Sequence, residues 1–303
     1  MVSTGSNLEK INVGLDIGGS TTKIVGMRGG EIVASEIVKA GDPVTSAFGA
    51  VGKLINDNGL KTEDISRINI TGVGSSYTTT PVFGIETFVV EEFISTGLGG
   101  LYLSGLDHAV VVSMGTGTAY LDASYDKVEH VIGSGVGGGT LAGLCNATLG
   151  VEDVLKLAEM AKEGEITACD LTIGDITKKE IPGLPMYATA SNFGKIADDL
   201  SREDKAAGIF NLVYQTIGSM SVLSSKICGL KDIVFTGQLT AIPICRDLML
   251  PFAKLYDENI SIAPKVIGYI TILLALNSRF FLLRVPTQVT HIIRNVMILL
   301  RSM

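Results

Sequence analysis

Apolar and β-branched residues dominate two short segments near the start of the chain, residues 11–17 and 21–26, and a Gly-Gly-Ser turn separates them. This pattern predicts two paired strands, and the following segment, Glu31–Val38, predicts a third. Over residues 44–58 the apolar positions recur at helical spacing, which predicts a helix. Two further predicted elements complete this part of the chain: a strand over Ser66–Thr71 and a helix from about Glu91 to Leu103.

The same order of elements begins again at His108. The pattern predicts strands over His108–Ser113, Ala119–Ala123 and Val128–Ile132. Gly115–Thr118 forms a bare, hydroxyl-rich turn between the first two of them, as the Gly-Gly-Ser turn does in the first half. We interpret the repeat as an internal duplication into two lobes, each of which presents a Gly- and Thr-rich hairpin to a shared cleft.

The rest of the chain is predicted to be mostly helical. A glycine-rich run, Gly133–Thr140, leads into a predicted helix over Leu141–Leu149. Asn192 is predicted to be the N-cap of a long helical region over about 193–228. The other predicted elements are a helix over Val151–Lys162, a loop-rich insertion over 163–190 and a strand over Ile233–Phe235 that ends at Thr236-Gly237-Gln238.

Composition narrows the class of protein and of partner. With 303 residues, 46% of them apolar and 18% charged, the chain is long enough for two cores and is not a disordered protein. The net charge of −7 argues against a nucleic-acid partner, because no basic stripe is present to neutralise phosphates. The four cysteines are widely spaced and the N-terminus has no apolar leader segment, so we predict reduced thiols, no signal peptide and a cytoplasmic location.

Three bare turns point to phosphate chemistry: the turn after Asp16, Gly115–Thr118 and Gly133–Thr140. Glycine turns and helix N-termini expose backbone N–H groups that suit an anionic phosphate. Asp16, at a strand end beside such a turn, is predicted to hold Mg²⁺ directly or through water. Lys23 either faces the same site or is a solvated strand residue. An ordinary hairpin or helix cap explains each turn alone, but the three together favour a phosphate site.

Two common nucleotide motifs do not account for these turns. The pattern GxxxxGK[ST] is absent from the sequence, so the chain is not a P-loop protein. The segment Gly133–Gly138 matches GxGxxG, but it lies in the middle of the chain, and the other two turns have no role in a dinucleotide-binding fold.

Four motifs in this order, LDIGGSTTKIVG, SMGTGTAYLDA, IGSGVGGGTLAGL and VFTGQL, resemble the type II pantothenate kinases. These kinases share a superfamily with acetate and sugar kinases, heat-shock ATPases and actin. The resemblance covers residues 11–277, and its most specific parts are GGGTLAGL and the segment from Glu92-Phe93 to Leu101-Tyr102. It implies an α/β, duplicated ribonuclease H-like (actin-like ATPase) fold, with two lobes around an ATP cleft.

The resemblance also implies a function. It predicts a homodimeric enzyme that uses ATP and Mg²⁺ to phosphorylate pantothenate, the first step towards coenzyme A. We expect an N-terminal lobe over residues 1–107, a C-terminal lobe over 108–277 and an atypical tail over 278–303.

The residues of the site follow from matching the family's motifs. Asp16 would position Mg²⁺ and Glu92 would be the general base, while Thr118 and His130 would bind the substrate. A carboxylate suits the base, because a primary alcohol is a poor nucleophile until its proton is accepted. The alternative for Glu91 and Glu92 is that both are solvated at a helix N-terminus. The implied ATP contacts are Gly18, Gly19, Ser20, Thr21, Thr22, Lys23, Ile24, Val25, Thr116, Gly117, Gly137, Gly138, Gly139, Thr140, Leu141, Gly237 and Gln238.

Two departures from the family pattern bear on activity. The family usually has an arginine where this chain has His130, and a neutral imidazole cannot make a bidentate, permanently charged contact. His130 therefore either contacts the substrate differently or is a strand residue without a ligand role. The tail over 278–303 is apolar and basic, and it is explained by a membrane-surface helix, an additional packing helix or a shifted reading frame. No stable membrane insertion is predicted, because only 13 residues separate Lys265 from Arg279, too few to cross a bilayer.

Three other functions compete with the pantothenate kinase. A related sugar kinase would use an aspartate base and often a Cys/His zinc cluster, which the sequence lacks. An ATP-binding activator of radical dehydratases would need paired cysteines to hold an iron–sulfur cluster, and the cysteines here are isolated. A degraded kinase would bind ATP but turn over slowly.

Overall fold

The computed structural model describes residues 10–19, 21–28, 31–39, 41–78, 80–195 and 199–263. Two of the predictions lie outside these residues: the role of Ser20 in the first phosphate loop and the three explanations of the tail over 278–303.

The first half of the chain forms a five-stranded sheet in the order β3-β2-β1-β4-β5. β2 is antiparallel to both β1 and β3, whereas β4 is parallel to β1 and to β5. The strands and the helix of this half of the chain are β1 (Ile11–Ile17), β2 (Thr21–Arg28), β3 (Glu31–Lys39), α1 (Pro43–Asp57), β4 (Ile65–Thr71) and β5 (Thr87–Val89).

Strand alternation divides β1 into a core face and an opposite face. Val13, Leu15 and Ile17 are buried in one cluster with Val51 and Leu54 of α1. Because side chains alternate along a strand, Asp16 lies on the other face of the sheet. α1 begins where local chemistry requires it, since the Asp42 carboxylate accepts the Thr45 N–H at 2.8 Å and Pro43 occupies the first turn.

The second half forms another five-stranded sheet in the order β12-β11-β6-β7-β8. A separate two-stranded ribbon joins β9 and β10. The elements are α2 (Glu92–Ser104), β6 (His108–Met114), β7 (Thr118–Ser124), β8 (Val128–Ser134), α3 (Gly138–Leu149), α4 (Val154–Glu163), α5 (Ile166–Cys169), β9 (Leu171–Thr172), α6 (Ile173–Ile176), β10 (Thr189–Ser191), α7 (Arg202–Cys228), β11 (Asp232–Thr236), α8 (Cys245–Tyr256) and β12 (Asn259–Ile262).

The two five-stranded sheets have the same topology. In each, three antiparallel strands come first in the chain, and two later strands add in parallel beside the first of them. β6, β7, β8, β11 and β12 thus correspond to β1, β2, β3, β4 and β5. This equivalence confirms the internal duplication that the repeated strand and turn pattern predicts.

Helices cover both faces of the second sheet. α2 packs on one face, where Leu101 shares a buried cluster with Val111 and Leu121. On the other face Tyr120 is buried in a larger cluster with residues of α3, α4, α7 and α8. α7 is long and apolar enough to span a bilayer by composition, but 67% of its most apolar stretch is buried inside the protein.

The described residues divide into two compact units. The first comprises residues 10–17 and 21–90, and the second comprises Gly18, Gly19 and residues 91–263. α2 falls in the second unit because it packs against β6, β7, β8 and β11, although the expected N-terminal lobe of 1–107 includes it. The arrangement of two lobes around an ATP cleft stays a prediction.

The predicted helix over 193–228 is wrong at its start. α7 begins at Arg202, and Ser201 caps it by accepting the Asp204 N–H at 2.9 Å. Asn192 is not an N-cap, because its side-chain amide donates to Asp170 Oδ2 at 2.9 Å. α3 also differs from the prediction: it begins at Gly138, so the glycine run forms its first turn.

Candidate active site

The end of β1 brings an aspartate and a lysine together. Asp16 and Lys23 are register partners across the β1–β2 hairpin, and Lys23 Nζ donates to Asp16 Oδ2 at 2.9 Å. Their side chains are 19% and 17% exposed, so both can still reach a ligand at the sheet surface. Lys23 is therefore paired with Asp16 and is not simply solvated, and its contact with ATP stays a prediction.

The loop after β4 closes against this carboxylate. Gly72 has φ +89°, and a Cβ built on it would lie 2.5 Å from Asp16 Oδ1 and 2.7 Å from the Ile17 carbonyl oxygen. Gly74 donates its N–H to that same carbonyl at 2.9 Å. The Gly72-Val73-Gly74 segment thus fixes the backbone around Asp16, a role that the sequence analysis did not assign to it.

Asp16 has the chemistry of a Mg²⁺ ligand. Its carboxylate is an oxygen donor of the kind that Mg²⁺ prefers, it stands at a strand end, and it is partly open to solvent. Lys23 beside it is a point charge that suits a phosphate oxygen. The residues present therefore fit a metal-bound phosphate.

Not every residue of the predicted first loop offers its side chain to a ligand. Thr22, Ile24 and Val25 are fully buried in the first unit. Gly19 is exposed, and a Cβ there would meet nothing within 4 Å. The side chains of Thr22, Ile24 and Val25 therefore serve packing, and any contact with ATP at these positions would use the backbone.

In the second unit the bare turn before β7 is interlocked with the start of α3. Gly138 donates its N–H to the Gly115 carbonyl at 2.8 Å, and Gly139 donates to the Thr116 carbonyl at 2.9 Å. A Cβ on Gly137 would lie 2.7 Å from the Thr116 carbonyl oxygen. The glycines of this run let the two backbones touch, and two N–H groups of the helix start are already used.

We call the contact between the Gly115–Thr118 turn and the start of α3 the glycine interlock. A third segment, after β11, also belongs to it. Gly237 follows β11 with φ +94°, and a Cβ there would lie 2.5 Å from the Met114 carbonyl oxygen. Beyond it, Tyr214 of α7 donates its hydroxyl to the Leu239 carbonyl at 2.8 Å. Burial raises the pKa of Tyr214, so the phenol stays protonated as a donor. Gln238 lies between Gly237 and Leu239, in the short helical turn that follows β11.

The threonines around the glycine interlock divide into supporting and exposed residues. Thr118, predicted to bind substrate, is buried and donates its hydroxyl to the Val136 carbonyl at 2.8 Å. Thr140 donates to the Gly135 carbonyl at 2.8 Å and accepts the Gly137 N–H at 3.2 Å. Leu141 is fully buried in the core. Thr116 is exposed at the tip of the turn, where it is open to a ligand.

The two adjacent glutamates at the start of α2 have different positions. Glu91 is the N-cap, and its carboxylate accepts the N–H groups of Phe93 at 3.1 Å and Ile94 at 2.8 Å. Glu92 occupies the first helical position. Capping thus engages the Glu91 carboxylate, and the role of Glu92 as the proton acceptor stays a prediction.

The comparisons with known proteins agree with the motifs. Residues 108–246 match the family model described as Fumble. A type II pantothenate kinase of Staphylococcus saprophyticus is 27% identical over 236 residues, which are 75% of this chain and 84% of that protein. Pantothenate kinase 1 of rice, Oryza sativa subsp. japonica, is 34% identical over 136 residues, 42% of this chain but only 20% of the rice protein.

Solved structures share the fold. One is the activator of 2-hydroxyisocaproyl-CoA dehydratase from Clostridium difficile with bound ADPNP. It matches with a TM-score of 0.61 at 20% identity, and the match covers 88% of this chain and 94% of the activator chain. The ROK hexokinase of Thermus thermophilus has a TM-score of 0.52 at 13% identity, with 88% and 98% covered. Together the comparisons confirm the duplicated actin-like ATPase fold and the predicted resemblance of this chain to the type II pantothenate kinases.

Proposed function

We propose that this protein is a kinase that transfers the γ-phosphoryl group of ATP to the primary hydroxyl of pantothenate, giving 4′-phosphopantothenate for coenzyme A synthesis. The observation that carries this proposal is the alignment with the Staphylococcus saprophyticus enzyme, which spans 84% of that protein. The exposed position of Glu92 at the start of α2 is compatible with its proposed role as the base.

In the proposed mechanism Glu92 accepts the hydroxyl proton of pantothenate as the hydroxyl oxygen bonds to the γ-phosphorus, and ADP leaves. Asp16 would hold Mg²⁺, and the metal would supply positive charge to neutralise the phosphates. Lys23, paired with Asp16 at 2.9 Å, adds a cation to the same end of the sheet. The chain's main contribution is the placement of these charges.

The nucleotide contacts are also proposals. Thr116 and Gly117, at an exposed turn, contact the phosphates, and Gly237 with Gln238 lies near the adenosine. Gly138 and Gly139 act indirectly, because their N–H groups already donate to the carbonyls of Gly115 and Thr116. Their role in this proposal is to hold the turn. A homodimer and a cytoplasmic location follow from the family resemblance and the cysteine usage.

The first test is ADP release with Mg-ATP, with and without pantothenate, for the parent protein and for Glu92→Gln. We expect turnover that depends on pantothenate and falls by about 10²- to 10⁴-fold in the variant, because the glutamine amide cannot accept the hydroxyl proton as the carboxylate does. Glu159→Gln, at an exposed position of α4, is the matched control. It removes the same charge outside the proposed site and should retain most of the turnover. Equal activity of Glu92→Gln and the parent would exclude Glu92 as the base.

The activator ATPase is the main alternative, and the cysteine environments speak against it. Cys145, Cys169 and Cys245 are buried. Burial raises the pKa of Cys145 to about 11 and that of Cys245 to about 12, so both stay thiols at neutral pH. A cluster shared at an interface needs accessible thiolates. Iron bound to the purified protein would favour the activator, and ATP binding without pantothenate turnover would favour a degraded kinase.

A further inference from the structure

An aromatic pair ties the start of α2 to β8. The rings of Phe93 and His130 stack with centroids 4.7 Å apart and an interplanar angle of 12°. Phe93 directly follows Glu92 in the first turn of α2, and His130 lies in the middle of β8. This contact therefore joins the residue beside the proposed base to the position where the family usually has an arginine.

The register of β7 and β8 determines which face of the sheet carries His130. In the β7–β8 register, Leu121 pairs with His130 but Tyr120 pairs with Ile132, so Val131 is the additional residue. Leu121 belongs to the cluster beneath α2, whereas Tyr120 is buried in the core on the opposite face. His130, which pairs with Leu121, therefore lies on the face of the sheet that α2 covers.

The rest of α2 is seated very close to the sheet. A Cβ on Gly97 would lie 2.6 Å from Val128 Cγ1, and one on Gly100 would lie 2.6 Å from Val111 Cγ1. These two glycines fix the distance between helix and sheet, but they lie one and two turns beyond Glu92. Within the first turn, the stack on His130 and the cap by Glu91 help to hold the helix start.

We propose that Phe93 and His130 are positioning residues that orient Glu92, and that His130 acts through its stack on Phe93 and not as a ligand of the substrate. This inference rests on the proposed function, because it assigns Glu92 the role of base. One face of the imidazole is covered by Phe93. The Nε2 atom lies over Gly133, 3.5 Å from where a Cβ of that residue would stand.

The test compares His130→Ala, Phe93→Ala and His130→Phe in steady-state kinetics with pantothenate and Mg-ATP. Loss of the stack lets the first turn of α2 shift, so both alanine variants should lower kcat by about 10- to 100-fold with little change in the KM for pantothenate. His130→Phe keeps an aromatic ring and should restore most of the lost kcat. If His130→Ala and His130→Phe instead both raise the KM for pantothenate to a similar extent, His130 contacts the substrate and the proposal is wrong.

A matched control separates positioning from general loss of stability. Tyr256→Ala removes another stacked ring of the second unit, 5.7 Å from Phe252, and should leave kcat within about 2-fold of the parent. A fall in kcat equal to that of Phe93→Ala would overturn the positioning role.

A second measurement does not depend on catalysis. The Tm values of Phe93→Ala, His130→Ala and the double variant form a cycle. Each single change should lower Tm by about 2–4 °C, and the double change should cost less than their sum. Additive losses would exclude the stack itself. A parent protein without pantothenate turnover but with a coupled cycle would refute the proposed function while leaving the stack intact, so the two failures are distinguishable.

Discussion

Individual glycines differ sharply in what their missing side chain permits. Gly137 is the N-cap of α3, and Gly143 lies within the same helix. A Cβ on Gly137 would lie 2.7 Å from the Thr116 carbonyl oxygen, whereas a Cβ on Gly143 would meet nothing within 4 Å. One position is therefore sterically required and the other is free to take a larger residue.

Alanine at these two glycines should have opposite effects. Gly137→Ala forces the Thr116 turn away from the helix, and we expect it to cost about 2–3 kcal/mol of unfolding free energy and to weaken ATP binding. Gly143→Ala should add about 0.5–1 kcal/mol, because it removes backbone entropy from the unfolded chain without a clash. Urea unfolding and ATP titration of both variants check this. Similar stabilities for the two variants would contradict the glycine interlock.

Gly72 and Gly59 make a second matched pair. Both have positive φ, +89° and +61°, but only Gly72 approaches Asp16, and a Cβ on Gly59 would meet nothing within 4 Å. Gly59→Ala should cost about 1 kcal/mol from backbone strain alone. Gly72→Ala should cost more and should also lower the affinity for Mg-ATP, because the new methyl displaces the Asp16 carboxylate. Isothermal titration with Mg-ATP distinguishes them, and equal affinities would mean that Asp16 tolerates displacement.

At the scale of elements, a buried carboxylate connects the β9–β10 ribbon region to α7. Asp170 is fully buried. Its Oδ1 accepts the Phe193 N–H at 2.8 Å, and its Oδ2 accepts the side-chain amides of Asn192 at 2.9 Å and Asn211 at 2.6 Å. Since Asn211 lies in α7, this carboxylate joins the segment after β10 to the longest helix of the second unit.

Asp170→Asn should expose how much this junction contributes. An amide offers one acceptor and one donor, so at least one of the three donors would face another donor inside the protein. We expect a loss of about 3 kcal/mol in unfolding free energy. Asp126→Asn, at an exposed turn, is the control and should change it by less than about 0.5 kcal/mol. Chemical denaturation of both measures this, and equal stabilities would show that the three contacts are dispensable.

The long-range contact of Asn192 with Asp170 explains why the start of α7 could not be predicted from the sequence. Asn192 and Ser201 are equally good N-caps by residue type, and each precedes a helical pattern. Only the buried Asp170, 22 positions away, commits Asn192 to another bond. By contrast, α1 was predicted closely because its Asp42-Pro43 start is local chemistry.

The same distinction applies to the candidate site. Strand alternation and turn composition are local, so the sequence alone predicts Asp16 and the glycine turns as parts of the candidate site, while it leaves the role of Lys23 open. It did not predict that the N–H groups of Gly138 and Gly139 would donate to Gly115 and Thr116, because those partners lie 23 positions earlier in the chain. It also missed the stack of Phe93 on His130, because the two residues lie 37 positions apart in the chain.

For the whole molecule, nucleotide binding should raise the stability of the native protein. If ATP binds the native protein alone, Mg-ATP at about 100 times its Kd should add about 2.7 kcal/mol. For units of this size that corresponds to a rise in Tm of about 5–10 °C. Thermal scans with Mg-ATP, with ATP plus EDTA and with pantothenate alone check it. An unchanged Tm with Mg-ATP would argue against nucleotide binding.

The glycine interlock also has a consequence for the lifetime of backbone amide hydrogens. The first N–H groups of a helix ordinarily have no partner in the helix and exchange quickly with solvent deuterium. In α3 the N–H groups of Gly138 and Gly139 are instead tied to the turn before β7. Their deuterium uptake should therefore be slow even without nucleotide, and it should speed up only when the turn and the helix separate. These two amides would act as a built-in reporter of whether the turn is assembled.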